Sequence, residues 1–484
     1  MSETFPGGPL RRLAVRRGMI QSPQPTTPAT ELDRMVDRAG SVDAPVEVFA
    51  GGILVTLSVA PTGRLEDSTT TGWSRRLAAV VLLGLLVRSA LLAQSLRTGG
   101  LDDLDKYLPL ARGLVEGRGF ALDGRPTAYR PPLYPLVLAP IVAVMGPRVD
   151  LGVAALHLVL GAATMALTWV AARRWGLAPG LSLFAVAVVA FDPVLVSQSR
   201  TVMTETLAAF LTAAALSALT LPGMAGVIVA GLAFGLGTLC RPSALPVAGM
   251  TALAALVFGP GNGRARVRRA VVLVVSSAAL LTPWAARNWA VFGAPVWTTT
   301  HGGYTLYLAN NPVYYNEVVN GPSGAVWTGP NQNAWWDQMS RAARGLSEPR
   351  ADRAQRAAAL RVIRTRPLDF ARASVARLGR FWGLAPAAAV YPRGLRVLTT
   401  LWTIPIWVAL ACGLASRTSW RWPRVAAPAA LFALTIVHTI YWTDLRMRAP
   451  LAPAIALLAA TGLGRFSETS FAPKEGVRKD LKKK

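Results

Sequence analysis

Between positions 77 and 464 the chain carries ten apolar runs of spanning or near-spanning length, and that recurrence limits its fold more than any other feature. They cover 77–96, 150–171, 181–198, 204–221, 223–240, 243–259, 270–287, 395–415, 425–442 and 449–464. A helix needs about 20 apolar residues to cross the hydrocarbon core, and only helices and closed barrels satisfy their backbone polar groups there. The runs therefore predict an all-α polytopic membrane protein. Charged residues are 16% of the chain, against about 25% in soluble domains, and mean hydropathy is +0.38. The segment 133–146 is shorter and holds Pro135 and Pro140, which suits a juxtamembrane or re-entrant helix.

The formal charge of +26 raises nucleic acid as a partner. No basic stripe with interleaved aromatics lies on a soluble domain, so no nucleic-acid binding is expected. The basic residues lie largely in short loops and tails: Arg75-Arg76, Arg173-Arg174, 263–269, 417–424 and the terminal lysines. Cytoplasmic loops are basic in this way. With the N-terminus cytoplasmic, the polar motifs 97–135, 199–205, 241–242, 288–394 and 443–448 all fall on the opposite face. The expected organisation is a disordered cytoplasmic tail over 1–74, then an N-terminal transmembrane catalytic module over 75–287 with a first outer loop at 97–149. A large non-cytoplasmic loop with helices over 288–394, transmembrane helices over 395–464 and a basic cytoplasmic tail over 465–484 follow. The run 46–61 is too short and glycine-rich to span, and no h-region follows the basic start, so no signal peptide is expected. Cys240 and Cys412 imply no disulfide framework, and His157, His301 and His438 lack zinc-ligand spacing.

The chemistry-bearing residues concentrate in the outer motifs. Ionisable groups kept at a membrane surface are costly and tend to mark a substrate path. The first outer loop carries Asp102, Asp103 and Asp105, and later Tyr129-Arg130-Pro131-Pro132. An aspartate ahead of LDKYLPLARGL is good helix-capping chemistry; the functional alternative is a general base acting on an acceptor hydroxyl. Asp103 stands four residues before Tyr107, so the two share a face if the helix starts there. Glu205, in TVMTET, suits either a helix N-terminus or a second carboxylate that orients an acceptor. Arg130, Arg241, Arg446 and Arg448 each lie close to a proline (YRPP, CRP, RMRAP). Interfacial arginines often snorkel, but a braced guanidinium also offers a fixed fork of donors to a lipid phosphate. Arg88, in the middle of the first run, must face the bundle interior or a cavity. In the 288–394 loop, Ser347 is a candidate N-cap for a helical stretch that Pro367 breaks. Trp327, Trp335 and Trp336 suit a loop resting on the interface or gripping a sugar.

Taken together, these motifs resemble the membrane-embedded GT-C glycosyltransferases, specifically the family-39-like group of protein mannosyltransferases and aminoarabinose transferases. The resemblance covers 75–464 and rests on Asp103 with Tyr107, EGRGF, PTAYRPPLYP, Thr204-Glu205, CRP, PWAARNWAVFG, GGYTLYLANNP and DLRMRAPLAP. It implies a GT-C-type bundle of about ten to twelve transmembrane helices with a non-cytoplasmic loop region. It also implies that Asp103 is the catalytic base, Glu205 the second acidic position and Arg130 the ligand of the lipid phosphate. Three neighbouring aspartates depart from the pattern, so Asp102 and Asp105 stay open as the base. The 288–394 loop is expected to recognise the acceptor.

The expected activity is an inverting glycosyltransferase of the cell (inner or plasma) membrane, moving a sugar from a polyprenyl-phosphate carrier to an acceptor hydroxyl on the non-cytoplasmic face. Catalysis falls to Asp103 and Glu205. Substrate and phosphate binding falls to Arg130, Tyr129, Tyr107, Arg241, Arg446 and Arg448, with no metal and no cofactor expected. The acceptor is a lipid, glycan or protein, and the carrier's tail is expected in a groove near 133–146. The rivals are a transporter or flippase of a lipid-linked sugar, which should show internal repeats and midplane polar groups, and a catalytically inert scaffold.

Overall fold

A computed structural model of the chain describes residues 46–50, 53–57 and 67–470, except 323, 324 and 328. Within the segment expected to be a tail, β1 (Val46–Ala50) pairs antiparallel with β2 (Ile53–Leu57), Val46 facing Leu57 and Ala50 facing Ile53. The rest of that segment up to residue 66, and the terminal tail beyond 470, lie outside the described residues.

From residue 67 the chain is a helical bundle. Its first half runs α1 (Asp67–Arg97), α2 (Tyr107–Val115), the two-residue strands β3 (Ala121–Leu122) and β4 (Arg125–Pro126), α3 (Leu133–Met145), α4 (Val149–Arg174), α5 (Pro179–Phe191), α6 (Pro193–Gln198), α7 (Glu205–Ala218), α8 (Gly223–Cys240), α9 (Ala244–Phe258) and α10 (Gly263–Phe292). A unit of mostly shorter helices follows, with α11 (Gly302–Ala309), α12 (Pro330–Ala343), α13 (Glu348–Thr365) and α14 (Pro367–Phe381), the segment expected to lie outside the membrane. The bundle closes with α15 (Arg393–Leu414), α16 (Ala426–Ile440), the turn Leu445–Leu451 and α17 (Ala452–Ser470).

The chain is a multi-pass membrane protein. Among the described residues, six helical stretches are long and apolar enough to cross a membrane: Gly72–Arg97, Leu133–Arg174, Gly223–Cys240, Gly263–Phe292, Arg393–Leu414 and Leu445–Arg465. Four expected spans appear instead as shorter apolar helices, α5, α7, α9 and α16, so ten to twelve helices of spanning length are not reached. The shortening has a local cause. Each of these helices is bounded at one end by a polar or proline-bearing break: α5 stops at Asp192-Pro193 and α16 at 441–444, while α7 starts after the 199–204 turn and α9 after Arg241-Pro242-Ser243. The 133–146 segment is α3, joined to α4 through a turn at Gly146.

The break at Asp192 explains Arg88. Proline at the first position of α6 ends α5 at Phe191, and Asp192 Oδ1 accepts the Leu195 amide at 2.7 Å. The last carbonyls of a helix lack intrahelical donors. Arg88, 1% exposed, supplies them, donating to Ala190 O at 2.6 Å and Val189 O at 3.0 Å. It faces the bundle interior as expected, and its work there is structural.

Small residues allow α15 and α17 to pack closely. A Cβ on Gly413 of α15 would run into the Leu458 carbonyl oxygen, and one on Gly462 of α17 into that of Ala409. Backbones approaching this closely gain van der Waals contact where lipid offers no hydrophobic drive.

In the unit formed by α11 to α14, α13 starts directly after Ser347, whose side chain makes no capping bond, and Pro367 opens α14. Trp327 (3% exposed) and Trp335 (4% exposed) pack 5.1 Å apart with Tyr314 and Tyr307, forming this unit's own core. They do not rest on the interface. Only Trp336 of the three is exposed. Arg377 clamps the unit to the bundle, donating to Ala309 O at 2.7 Å and Thr439 O at 2.8 Å.

Candidate active site

The loop between α1 and α2 is tied to the chain that precedes α7 by backbone. The Val202 amide donates to Asp102 O at 2.9 Å, forming a bridge between Asp102 and Thr201. This contact brings two motifs, about a hundred residues apart in sequence, to one end of the bundle.

The three aspartates divide by role. Asp102 is exposed and contributes backbone. Asp103 accepts the Tyr107 amide on Oδ1 and the Leu108 amide on Oδ2, both at 2.8 Å, so it caps α2. The chain reaches α2 through Lys106 in the left-handed region (φ 59°), a conformation that costs a non-glycine residue about 1 kcal/mol and persists only where the surroundings enforce it. Burial pushes the Asp103 carboxyl above its ordinary pKa, and Asp105 adds to the rise, while the two amides and Arg130 oppose it. Asp105 pairs with Arg130: Nη2 donates to its Oδ1 at 2.7 Å and Nε to its carbonyl at 3.2 Å. Arg130 Nη1 is left without a protein partner among the described residues, and the guanidinium lies 5.2 Å from the Tyr129 ring.

Arg130 is positioned by its neighbours on both sides. Pro131-Pro132 lead directly into α3. Upstream, Glu348 accepts Thr127 Oγ1 at 2.6 Å, the Ala128 amide at 2.8 Å and Thr300 Oγ1 at 2.9 Å, while Arg287 donates to Thr127 O and Phe120 O at 2.8 Å each. Tyr129 packs edge-on to His301, ring centroids 4.5 Å apart, and near Tyr304. Burial, then the Arg130 charge, pushes His301 down to about 3, so it stands neutral at pH 7.

Glu205 opens α7 and is fully buried. Its Oε1 lies 2.8 Å from Arg241 Nη1 and 3.7 Å from Arg446 Nη1, yet neither carboxylate oxygen has an aligned hydrogen bond. We read the contact as a charge pair whose N–H vectors miss the oxygens. Arg241 Nη1 also donates to Thr204 Oγ1 at 2.9 Å, and Arg446 is braced by Asp444, its Nε 3.2 Å from Oδ2. Tyr107, 3% exposed and edge-on to Tyr134 at 5.3 Å, joins the two halves, lying within electrostatic reach of Asp105, Arg130, Arg241 and Glu205. Behind it, Tyr134 donates its hydroxyl to His157 Nε2 at 2.8 Å. His157 Nδ1 lies 2.7 Å from Ser199 O, an acceptor that requires its proton on Nδ1.

Seven of the eight expected site residues therefore gather: Asp103, Tyr107, Tyr129, Arg130, Glu205, Arg241 and Arg446. Arg448 does not join them, which corrects its reading as a phosphate ligand. It is buried at 3% exposure, donates to Gly383 O at 2.5 Å and stacks over Trp407 at 4.8 Å. Sequence reasoning missed Asp105 and Asp444 as the braces of Arg130 and Arg446, and Glu348, His301 and Tyr304 as parts of the frame. For Asp444, two residues before Arg446, and for the HGGY turn a signal was present but common; for Asp105, 25 residues from Arg130, the sequence held none.

A narrow apolar cavity of about 30 Å³ lies between α7, α8, α9 and α16 and is bordered by Arg241. Leu211, Phe234, Val247 and Leu434 form its walls, so it lies away from the groove expected beside 133–146.

By sequence, no family model and no curated protein matches the chain. By structure, it is similar to the oligosaccharyltransferase of Archaeoglobus fulgidus tethered to an acceptor peptide containing the NVT sequon. The identity is 15%, over 82% of this chain and 50% of that one, with a TM-score of 0.51. The apo form of the same enzyme matches at 16% identity over 84% and 52% of the two chains, also with a TM-score of 0.51. ArnT from Cupriavidus metallidurans bound to undecaprenyl phosphate aligns at 14% identity over 83% and 79%, with a TM-score of 0.39, too low to argue from. The chain spans about half the length of the oligosaccharyltransferase. Its bundle shares the fold of that oligosaccharyltransferase.

Proposed function

We propose that the chain is an inverting glycosyltransferase that moves a sugar from a polyprenyl-phosphate carrier to an acceptor hydroxyl on the non-cytoplasmic side of the membrane. One observation carries the reading: Arg130, Arg241 and Arg446 converge with Asp103 and Glu205 around Tyr107, where a narrow apolar cavity is bordered by Arg241. A lipid phosphate needs a guanidinium site beside an apolar surface, and the apolar side chains of α7, α8, α9 and α16 next to Arg241 offer one. The oligosaccharyltransferase of the same fold holds an acceptor peptide, which supports transfer by analogy of fold only.

In the proposed reaction, Asp103 takes the proton of the acceptor hydroxyl. Each of its oxygens already accepts one backbone amide and keeps a second lone pair. The acceptor oxygen bonds to the anomeric carbon as the bond from that carbon to the phosphate oxygen breaks, and the carrier phosphate leaves with the electron pair. Arg130 Nη1 and Arg446 stabilise the charge that develops on it. Asp105 holds Arg130 in place, and Glu205 holds Arg241 and Arg446.

The test supplies membranes with a radiolabelled polyprenyl-phosphate sugar and follows release of label from the carrier. Asp103→Asn should abolish transfer, whereas Asp105→Asn should chiefly raise KM for the donor. Full transfer by Asp103→Asn would remove the mechanism. Absence of carrier cleavage by the parent protein would favour a flippase or a scaffold, since neither breaks that bond.

A further inference from the structure

Between the two halves of the bundle, α12 stands off α13 across a cleft of about 170 Å³. The cleft exists because the α13 wall is built from Ala351, Ala354 and Ala358, whose side chains do not reach the facing helix. Tyr307 and Trp335 line it, ring centroids 5.2 Å apart, and Gln338 and Gln355 project from opposite helices. Trp335 is 4% exposed and its indole N–H has no hydrogen-bond acceptor. Aromatic faces with carboxamides on two sides match a pyranose ring, which presents C–H groups to the aromatics and hydroxyls to the amides.

Charge narrows the ligand further. Residues 330–365 hold seven arginines against Asp337, Glu348 and Asp352. Two of those acids are used internally, Glu348 on Thr127, Ala128 and Thr300, and Asp352 on Gly303 and Arg356. Exposed Arg344 and Arg350 flank Leu346 and Ala351 of the cleft wall and have no acidic partner among the described residues. The cleft also lies close to the candidate active site. Tyr307 is one turn of α11 beyond Tyr304, which packs near Tyr129, a separation of about 4.5 Å along the helix axis.

We propose that the cleft between α12 and α13 is a subsite for an acidic saccharide of the acceptor. This deepens the glycosyltransferase reading and rests on it for the word acceptor, but not for the binding. The full-length protein in detergent is titrated with oligogalacturonate and followed by tryptophan fluorescence, with no donor present. Saturable binding is expected. Ala354→Trp, which fills the cleft from an exposed position, and the pair Gln338→Ala/Gln355→Ala should each weaken it about tenfold or more, the size of one or two lost hydrogen bonds. Asp103→Asn should bind as the parent does, so a failure of transfer chemistry and a failure of this subsite give different results. Parent-like binding by both cleft variants would overturn the proposal. So would equal binding of neutral maltoheptaose, or one-for-one displacement by a polyglutamate peptide, which would mark a charged face without saccharide recognition.

Discussion

Arg241 and Glu205 form a charge pair at 2.8 Å, the carboxylate fully buried and neither of its oxygens hydrogen-bonded. Such a pair is a weak source of stability, because desolvation offsets most of its Coulombic gain, but removing one partner leaves the other charged and buried. Glu205→Gln should therefore destabilise the protein by about 3 kcal/mol. The double variant Glu205→Gln/Arg241→Met should recover most of that loss in denaturant unfolding while remaining inactive in transfer. A double variant as unstable as the single one would show that the pair holds the fold together rather than the site.

With Asp103 as the proposed base, the transfer reaction should have an acid limb set by its carboxyl. Burial raises its pKa, so at low pH it is protonated before an exposed aspartate would be, and the base is lost as pH falls. Arg130 opposes the rise, which means that Arg130→Gln should move the limb to still higher pH. The profile of kcat/KM against pH for the parent and Arg130→Gln reads this directly. A limb that stays put in the variant would mean that another group titrates.

The bundle was legible because apolar runs report burial in lipid whatever their detailed packing. Asp192-Pro193 was legible too, as a helix stop, yet the 181–198 run was read through it. Side-chain direction was not legible. Asp103 and Asp105 are two residues apart, and one turns to the α2 amides while the other turns to Arg130. Arg446 and Arg448 repeat the problem in the Leu445–Leu451 turn, one reaching Glu205 and the other the Gly383 carbonyl. Successive residues of a tight turn point apart, and long-range contacts absent from the local sequence decide which of them meets the site. Trp327 and Trp335 pose a related problem, since an aromatic-rich loop reads the same in sequence whether its rings face lipid or one another.

His301 predicts a stability change with pH. Its folded pKa is depressed to about 3 by burial first and Arg130 second, against about 6.5 unfolded. Above 6.5 it is neutral in both states and contributes no slope. As pH falls from about 6.5 towards 3, the unfolded chain takes up a proton that the folded chain refuses, so stability drops by up to about 1.4 kcal/mol per pH unit. His301→Gln should flatten that part of the curve, which melting temperatures between pH 4 and 7 would register. An unchanged slope would assign the acid sensitivity to other groups.

Close packing of α15 on α17 gives the last prediction. Gly462 sits where a Cβ would collide with the Ala409 carbonyl oxygen, and Gly413 where one would meet that of Leu458. Both obstacles are backbone and cannot swing aside as the end of a flexible side chain would. Gly462→Leu must therefore push the helices apart and give up the contacts along their interface, a cost of about 1–3 kcal/mol for overpacking and occasionally more. The same substitution at Gly249 of α9, where nothing lies within 4 Å of the added Cβ, should leave stability nearly unchanged. Thermal unfolding of the two variants in one detergent makes the comparison. Equal losses would mean that the close approach of α15 and α17 is not what the glycines serve.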